Sequence, residues 1–487
     1  MENNKKYSRK DFIKLASVAG AGIFIAACGG SESEENKDSI ANSTDSTNSK
    51  TPGKISVDLI RKGDPRYEEL RKGFNKRIDK FPLVIALCKS TEDVSEAIKY
   101  ARKNNLAIAV KSGGHSMEGF SGNDGGMVIN LSKMNTVEVI EDKIVKAGPG
   151  CTLSHLYDEI LPKGRIIPAG SCGTVGLGGL TMGGGYGLFG RKYGLTCDSL
   201  VTAIMVDGSG NVVSTVDDPE LLWALRGGGA GNFGVVTQLV YKSYPKPATM
   251  QSHHFKARKL DATRAKSFLQ KWFEFSAQLP DTCFSAYVLN GSTLNILVTN
   301  FGTLSDELQA SLDTLALETD EFKAGATSEL SKKLKIYYGS LVPVYFKNSS
   351  AGLYKTFDDI EPCIAEVLEK VITNSGMIYQ VNTLGGKIAD DEFEKVSCYP
   401  HRAYNYISEL QAYWETPSRE EKLRQVSIEA LDIFKNNGIT TQYINYCSLE
   451  FADWEKAYYG DNYSRLQAVK KKYDPDNFIR HPQSIKA

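Results

Sequence analysis

Nothing in the charge of this chain favours a partner of one sign. Its 58 Lys and Arg balance 58 Asp and Glu, so no excess argues for nucleic acid or an acidic partner. The nine cysteines (28, 88, 151, 172, 197, 283, 363, 398 and 447) include no C-x-x-C pair. That argues against a zinc ribbon or a thioredoxin-like site, and no metal site is assigned. Setting aside Cys28 and Cys172 for the roles argued below, nine minus two leaves seven. An odd number cannot pair completely, so disulfides are not the main stabiliser. There is no internal repeat. The Gly176-x-Gly178 run does not complete a dinucleotide fingerprint, because Thr181 stands where the third glycine belongs. No Walker lysine follows the glycine-rich loops, and NAD and ATP are disfavoured.

At 487 residues the chain is too long for one core, which predicts two or three domains. Lys5, Lys6, Arg9 and Lys10 precede an apolar run, Leu15 to Ala27. Its length of about 13 residues falls short of the ~20 that span a bilayer and fits a signal-peptide core. Ile25-Ala26-Ala27-Cys28 resembles a bacterial lipobox, which makes Cys28 the expected lipidation site. Ser8 to Lys14 resembles a twin-arginine export motif with Lys10 in place of the second Arg. Residues 1–27 are therefore expected to be an export segment, with an amphiphilic helix as the alternative. Residues 28–54, polar and nearly free of apolar side chains, read as a flexible tether. The expected location is the cell envelope, periplasmic or surface, with the membrane reached through Cys28.

From residue 55 the pattern becomes that of a folded protein. Leu83–Leu87 and Ala107–Val110 read as buried strands. Between them lies a helix opened by a Ser90-to-Asp93 capping box and carrying Val94, Ala97, Ile98 and Ala101 at helical spacing. A further strand is expected at Met127–Leu131. Leu200–Val206 and Asn211–Val216 read as a hairpin closed by Asp207 to Gly210. Eleven of the 25 residues 170–194 are glycine, too many for a helix and too regularly spaced for a linker. A third glycine loop, Gly227 to Gly234, runs into a strand. Near Tyr244 to Pro247 the glycine loops stop. Residues 250–440 then alternate strand-like runs (Ser285–Leu289, Leu294–Val298) with helices near 305–317, 357–373 and 419–436. The expected division is 55–247, 248–440 and a C-terminal segment 441–487.

Two of the loops carry one nucleophile each in nearly bare backbone: His115 in Ser112-Gly-Gly-His-Ser116, and Cys172 in Gly170-Ser-Cys-Gly-Thr-Val-Gly176. Glycine lets backbone N–H groups approach a pyrophosphate, and imidazole and thiolate are the side chains that could bond to a flavin ring. Further on come Gly227 to Val236, Tyr443-Ile444-Asn445-Tyr446, Tyr458 to Tyr463, Lys472 to Phe478, and His481-Pro-Gln-Ser-Ile485. In that order the set resembles the berberine bridge enzyme-like FAD-linked oxidases throughout residues 55–487.

The resemblance implies an α+β fold of the vanillyl-alcohol oxidase (PCMH) type. Two subdomains hold FAD, a substrate domain with an antiparallel sheet flanked by helices covers it, and the C-terminal segment returns to the FAD domain. It implies a bicovalent flavin, with His115 on the 8α carbon and Cys172 on C6. It further implies FAD contacts from Ser112, Gly113, Gly114, Ser116 and Ser121, and from Gly170, Gly173, Thr174, Val175, Gly176, Gly178 and Gly179. Gly183, Gly184, Gly187, Asn232, Val235, Val236, Asn445 and Asn477 complete that set. Tyr443 is the implied general base, which needs hydrogen bonds or positive charge to lower a phenol pKa near 10. A strand would place Asn445 on its face and turn Tyr446 towards the core. Gln411 is the second catalytic candidate. His401, in Tyr399-Pro-His-Arg402, reads as a site residue or as packing. Val175 leaves room for O2 beside the flavin.

The expected reaction is oxidation of a CH–OH group, a sugar at C1, with O2 giving H2O2. The alternatives are a flavin dehydrogenase with another acceptor and a catalytically silent glycan-binding lipoprotein.

Overall fold

The structure, a computed structural model, describes residues 56–140 and 143–487. The export segment, the tether and Cys28 lie outside the described residues. Among those described, no helix is long and apolar enough to cross a membrane, and eight cysteines are free and buried.

The first sheet holds β1 (Asp58–Ile60), β2 (Val84–Leu87), β3 (Ile108–Lys111) and β4 (Met127–Asn130) in the order β1-β2-β4-β3. β2, β4 and β3 are parallel, which requires both faces covered, and β2 and β4 are buried along their length. α1 (Thr91–Lys103) lays Val94, Ala97, Ile98 and Ala101 into this core. Ser90 caps it by accepting from the Asp93 N–H at 3.2 Å. The Asp93 carboxylate instead accepts from the Lys89 N–H at 2.8 Å, one residue before the expected capping-box partner. β3 delivers the chain into the His115 loop.

The second sheet is antiparallel: β5 (Val137–Ile140), β6 (Ile144–Ala147), β7 (Leu200–Asp207), β8 (Val212–Ser214) and β9 (Gly234–Lys242), ordered β5-β6-β9-β7-β8. The β7–β8 hairpin turns where expected, with the Asp207 carboxylate accepting from the N–H groups of Ser209 and Asn211, both at 2.8 Å. The glycine-rich stretch 170–194 departs from expectation, for it contains the helices α2 (Leu177–Met182) and α3 (Gly190–Tyr193). Leu177 and Met182 are buried in the main core. That packing outweighs the poor propensity of Gly178 and Gly179.

The third sheet is antiparallel and covers the second. Its path comprises β10 (Thr249–Ala257), β11 (Cys283–Asn290), β12 (Thr293–Asn300), β13 (Glu321–Lys323), β14 (Tyr345–Tyr354), β15 (Met377–Thr383) and β16 (Tyr406–Trp414), ordered β13-β10-β12-β11-β15-β16-β14. Tyr406, Leu410, Ala412 and Trp414 pack outward against α4 (Ala262–Ala277), α5 (Ile364–Thr373) and α6 (Glu420–Asn436). The alternate residues Ile407 and Tyr413 face the main core, which includes residues of the glycine-rich loops. α4, capped by Asp261, was not expected from sequence. The helix expected over 357–373 is divided: a 3₁₀ turn at Phe357–Asp359 precedes α5, with Pro362, which has no N–H to donate, between them.

The C-terminal helix α7 (Tyr463–Tyr473) brings the chain back to the first two sheets. Lys470 Nζ donates to Asp474 at 2.6 Å with both side chains fully buried, and also to the carbonyls of Asn232 and Ile479, each at 2.6 Å. Breaking a buried pair leaves an uncompensated charge, at a cost of about 3–5 kcal/mol. Asp474→Asn is therefore expected to lower folding stability by that order in urea unfolding followed by fluorescence. Lys470→Met combined with Asp474→Leu should recover most of the loss. An unchanged midpoint for the single variant would contradict the assignment.

Candidate active site

The two nucleophile loops meet through glycine. A Cβ on Gly113 would lie 2.3 Å from the Gly176 nitrogen, and one on Gly176 would lie 2.2 Å from the Gly113 nitrogen. No side chain fits at either position, and the contact sets the His115 loop against the Cys172 loop. The His115 ring stacks on Phe74 with centroids 4.2 Å apart. Its Nε2 meets Thr174 Oγ1 at 2.9 Å, which leaves Nδ1 outside that bond. Burial pushes its pKa down to about 3, so the ring is neutral near pH 7. Cys172 Sγ lies 4.0 Å from the same Thr174 hydroxyl. Burial raises the Cys172 thiol pKa, opposed by the Thr174 hydroxyl and the N–H groups of Thr174 and Val175.

Both side chains border one long cavity. Ser112, Gly113, Gly114, Ser116, Ser121, Gly170, Val175, Gly176, Gly178, Gly179, Gly187, Asn232, Val236, Tyr443 and Asn445 also line it, as expected. Several expected contacts do not. Val235 of β9 pairs with Val206 of β7 and, by strand alternation, buries its side chain in the first-sheet core while Val236 faces the cavity. Asn477 sits at φ +50° in a turn closed by its N–H to the Asp474 carbonyl, off the cavity. Gly173 packs beneath Tyr338, Gly183 against the Asn445 amide and Gly184 against Tyr399. Thr174 stands behind the two nucleophiles rather than on the wall. His401 is buried edge-on to Tyr399, outside the cavity.

Tyr443 opens a 3₁₀ turn, Ile444–Tyr446, rather than lying in the expected strand. The Tyr446 N–H donates to the Tyr443 carbonyl at 2.9 Å. A 3₁₀ turn eclipses residues three apart, so Tyr446 comes round to border the cavity while packing in the main core, its ring edge-on to Tyr443 at 5.2 Å. The Tyr443 hydroxyl oxygen accepts from the Gly185 N–H and from the Asn445 amide, both at 2.9 Å. The sequence left unnamed the group that would stabilise a phenolate here, and these two donors are that group. Burial still raises the phenol pKa, and the two donors oppose it. Asn445 also donates to the Leu180 carbonyl at 3.0 Å, which fixes its amide.

The inner face of the third sheet adds residues that the sequence reading missed. Gln411 Nε2 donates to Gln380 Oε1 at 3.1 Å, Gln380 Nε2 to Asn382 Oδ1 at 2.9 Å, and Asn382 Nδ2 to the Tyr186 hydroxyl at 3.1 Å. Tyr186 then meets the Tyr446 hydroxyl at 2.6 Å. Gln411 thus does not line the cavity, but it is joined to the tyrosines by side-chain hydrogen bonds. Glu409 is fully buried two residues before it, with the Gln411 side chain as the one polar neighbour that opposes the effect of its burial. Burial pushes its pKa up to about 8, so it is an acid at neutral pH. Only the period-2 pattern Ile407, Glu409, Gln411, Tyr413 hints at it, and the sequence does not reveal that both faces of the strand are covered.

The cavity fits FAD. Three glycine loops border it, one nucleophile stands on each of the first two, and none of the described residues form a metal-holding cluster. A family described as "FAD binding domain" matches residues 82–215, and one described as "Berberine and berberine like" matches residues 442–486. The uncharacterized FAD-linked oxidoreductase YvdP of Bacillus subtilis is 32% identical over 448 residues, covering 88% of this chain and 97% of that protein. The chitooligosaccharide oxidase of Gibberella zeae is 28% identical over 467 residues, covering 90% and 93%. A solved chitooligosaccharide oxidase superposes with a TM-score of 0.78 at 26% identity, over 89% of this chain and 97% of that one. With likeness of that degree over nearly the whole of those relatives, the protein belongs to the berberine bridge enzyme-like family of FAD-linked oxidoreductases.

Proposed function

We propose that this enzyme oxidises a CH–OH group of a carbohydrate, at C1 of a sugar or oligosaccharide, with O2 as acceptor and H2O2 as product. We further propose that FAD is held covalently by both His115 and Cys172. The observation that carries the reading is the Tyr443 hydroxyl, held by two N–H donors on the wall of the cavity that holds His115 and Cys172. Bound flavin supplies a two-electron, hydride-accepting ring that O2 can reoxidise. Tyr443 takes the hydroxyl proton of the substrate, and the Gly185 N–H and Asn445 amide hold the resulting negative charge. A hydroxylated substrate is favoured by the hydroxyls on the cavity wall itself, those of Tyr186, Tyr443 and Tyr446, with Asn382, Gln380 and Gln411 hydrogen-bonded in a chain behind Tyr186. Relatives named chitooligosaccharide oxidase and glucooligosaccharide oxidase point the same way. Val175, small and on the cavity wall, supports O2 access. The lipobox-like Ile25 to Cys28 supports an exported, lipid-anchored enzyme.

Tyr443→Phe is expected to lower kcat by about 10²–10⁴-fold in a peroxide-coupled assay over a panel of oligosaccharides, with flavin content unchanged. Turnover equal to wild type would remove Tyr443 from its role. Glu409 is neutral below about pH 8 and charged above it. Burial holds the carboxyl protonated in the fold, whereas in the unfolded chain it ionises near its ordinary 4.5, so folding stability should fall as pH rises from about 4.5 to about 8, and Glu409→Gln should flatten that slope in urea unfolding. Cys28→Ala should move the protein from the membrane pellet to the soluble fraction. Retention in the pellet would contradict the lipid anchor.

A further inference from the structure

One hydroxyl touches both nucleophiles. Thr174 Oγ1 lies 2.9 Å from His115 Nε2 and 4.0 Å from Cys172 Sγ, and Thr174 itself is only half-buried beside the cavity. We infer that Thr174 is the positioning residue for covalent flavin attachment, orienting His115 for bond formation through Nδ1 and linking it to Cys172. The inference rests on the bicovalent reading proposed above.

The geometry restricts His115 in two ways. Stacking on Phe74, with an interplanar angle of 17°, fixes the plane of the ring. It does not fix rotation within that plane, nor which nitrogen carries the proton. The bond to Thr174 fixes the rotation; a hydroxyl can donate or accept, and we assign Nε2–H as the donor, the arrangement in which a neutral imidazole keeps its lone pair on Nδ1. Among the described residues no charged partner does this work: burial alone lowers the His115 pKa. The same hydroxyl does most to oppose the effect of burial on the Cys172 thiol.

The bond-forming step balances with O2 as oxidant. Nδ1 forms a bond to the 8α carbon. One hydrogen leaves that carbon, and the imidazole sheds its Nε2 proton through Thr174 Oγ1. The electron pair passes to the flavin ring and on to O2, which with the two protons gives H2O2. At Cys172 a C–S bond replaces the S–H bond and the C6–H bond, and the same two-electron transfer to O2 gives a second H2O2.

The test uses the full chain produced under riboflavin limitation, then supplied with FAD in air. Flavin on the His115 peptide and on the Cys172 peptide is measured by mass against time. Thr174→Val keeps the shape and removes the hydroxyl, and Thr174→Ser keeps the hydroxyl. We expect the Val variant to bind FAD but to attach it at His115 about tenfold to 10²-fold more slowly, with Ser restoring the rate. Thr174→Ala serves as a second hydroxyl-free variant should Val disturb folding, and FAD binding by fluorescence quenching confirms a folded site. Attachment at wild-type rates at both peptides in a hydroxyl-free variant overturns the inference and leaves bicovalent flavin standing. A wild-type chain that releases all its flavin on acid precipitation overturns both.

Discussion

The contact between Gly113 and Gly176 is the constraint on which the rest of the site depends. It joins a loop from the first, mainly parallel sheet to a loop in front of α2, more than sixty residues later. Any side chain at either position would meet backbone at about 2 Å, far inside the distance that real carbon atoms adopt. With the backbones in contact, Ser112 Oγ donates to the Pro149 carbonyl at 2.5 Å, and His115 and Cys172 face one cavity. Bare backbone lets the loops meet, and His115 bonds across to Thr174 through Nε2, which leaves Nδ1 outside that bond.

Around this centre, buried charge fastens parts of the chain that are distant in sequence. Glu118, beside the His115 loop, pairs with Lys347 of β14, and Arg77 meets the same carboxylate at 2.9 Å. Lys347 also donates to Ser448 Oγ at 3.0 Å, so one buried amine joins the flavin loops, the third sheet and the C-terminal segment. Arg402 does the same for the Tyr399 segment, holding Asp198 at 2.6 Å with both side chains buried. Desolvation makes such pairs weak as net stabilisers. Their contribution here is register: each is satisfied in one arrangement of the domains and costly in any other.

The proposed chemistry sits where these elements converge. Tyr443 takes its backbone position from Ser350 Oγ of β14, which accepts from the Tyr443 N–H at 3.0 Å, and its hydroxyl environment from Gly185 and Asn445. The third sheet then presents a polar face to a tyrosine cluster and an apolar face to its helices. A single strand, β16, carries Glu409 and Gln411 on one side and Leu410 and Ala412 on the other. The division of labour follows from strand alternation.

The sequence by itself determined the flavin loops, because their signal is local. Glycine clusters, one His and one Cys within a few residues each, and the alternating or helical periods of β2, α1, β7 and α6 need no distant partner to be read. The family followed from the order of those motifs. The tertiary structure alone decided the polar surroundings of Tyr443. Glu409 becomes an acid through burial, and Tyr186, Asn382 and Gln380 join Tyr446 from separate segments. Tyr446 itself turns inward because a 3₁₀ turn replaced a strand. Helix α2 formed in a glycine-rich stretch for the same reason. Burial and long-range contact set the energy of these groups, and neither is a property of neighbouring residues in the chain.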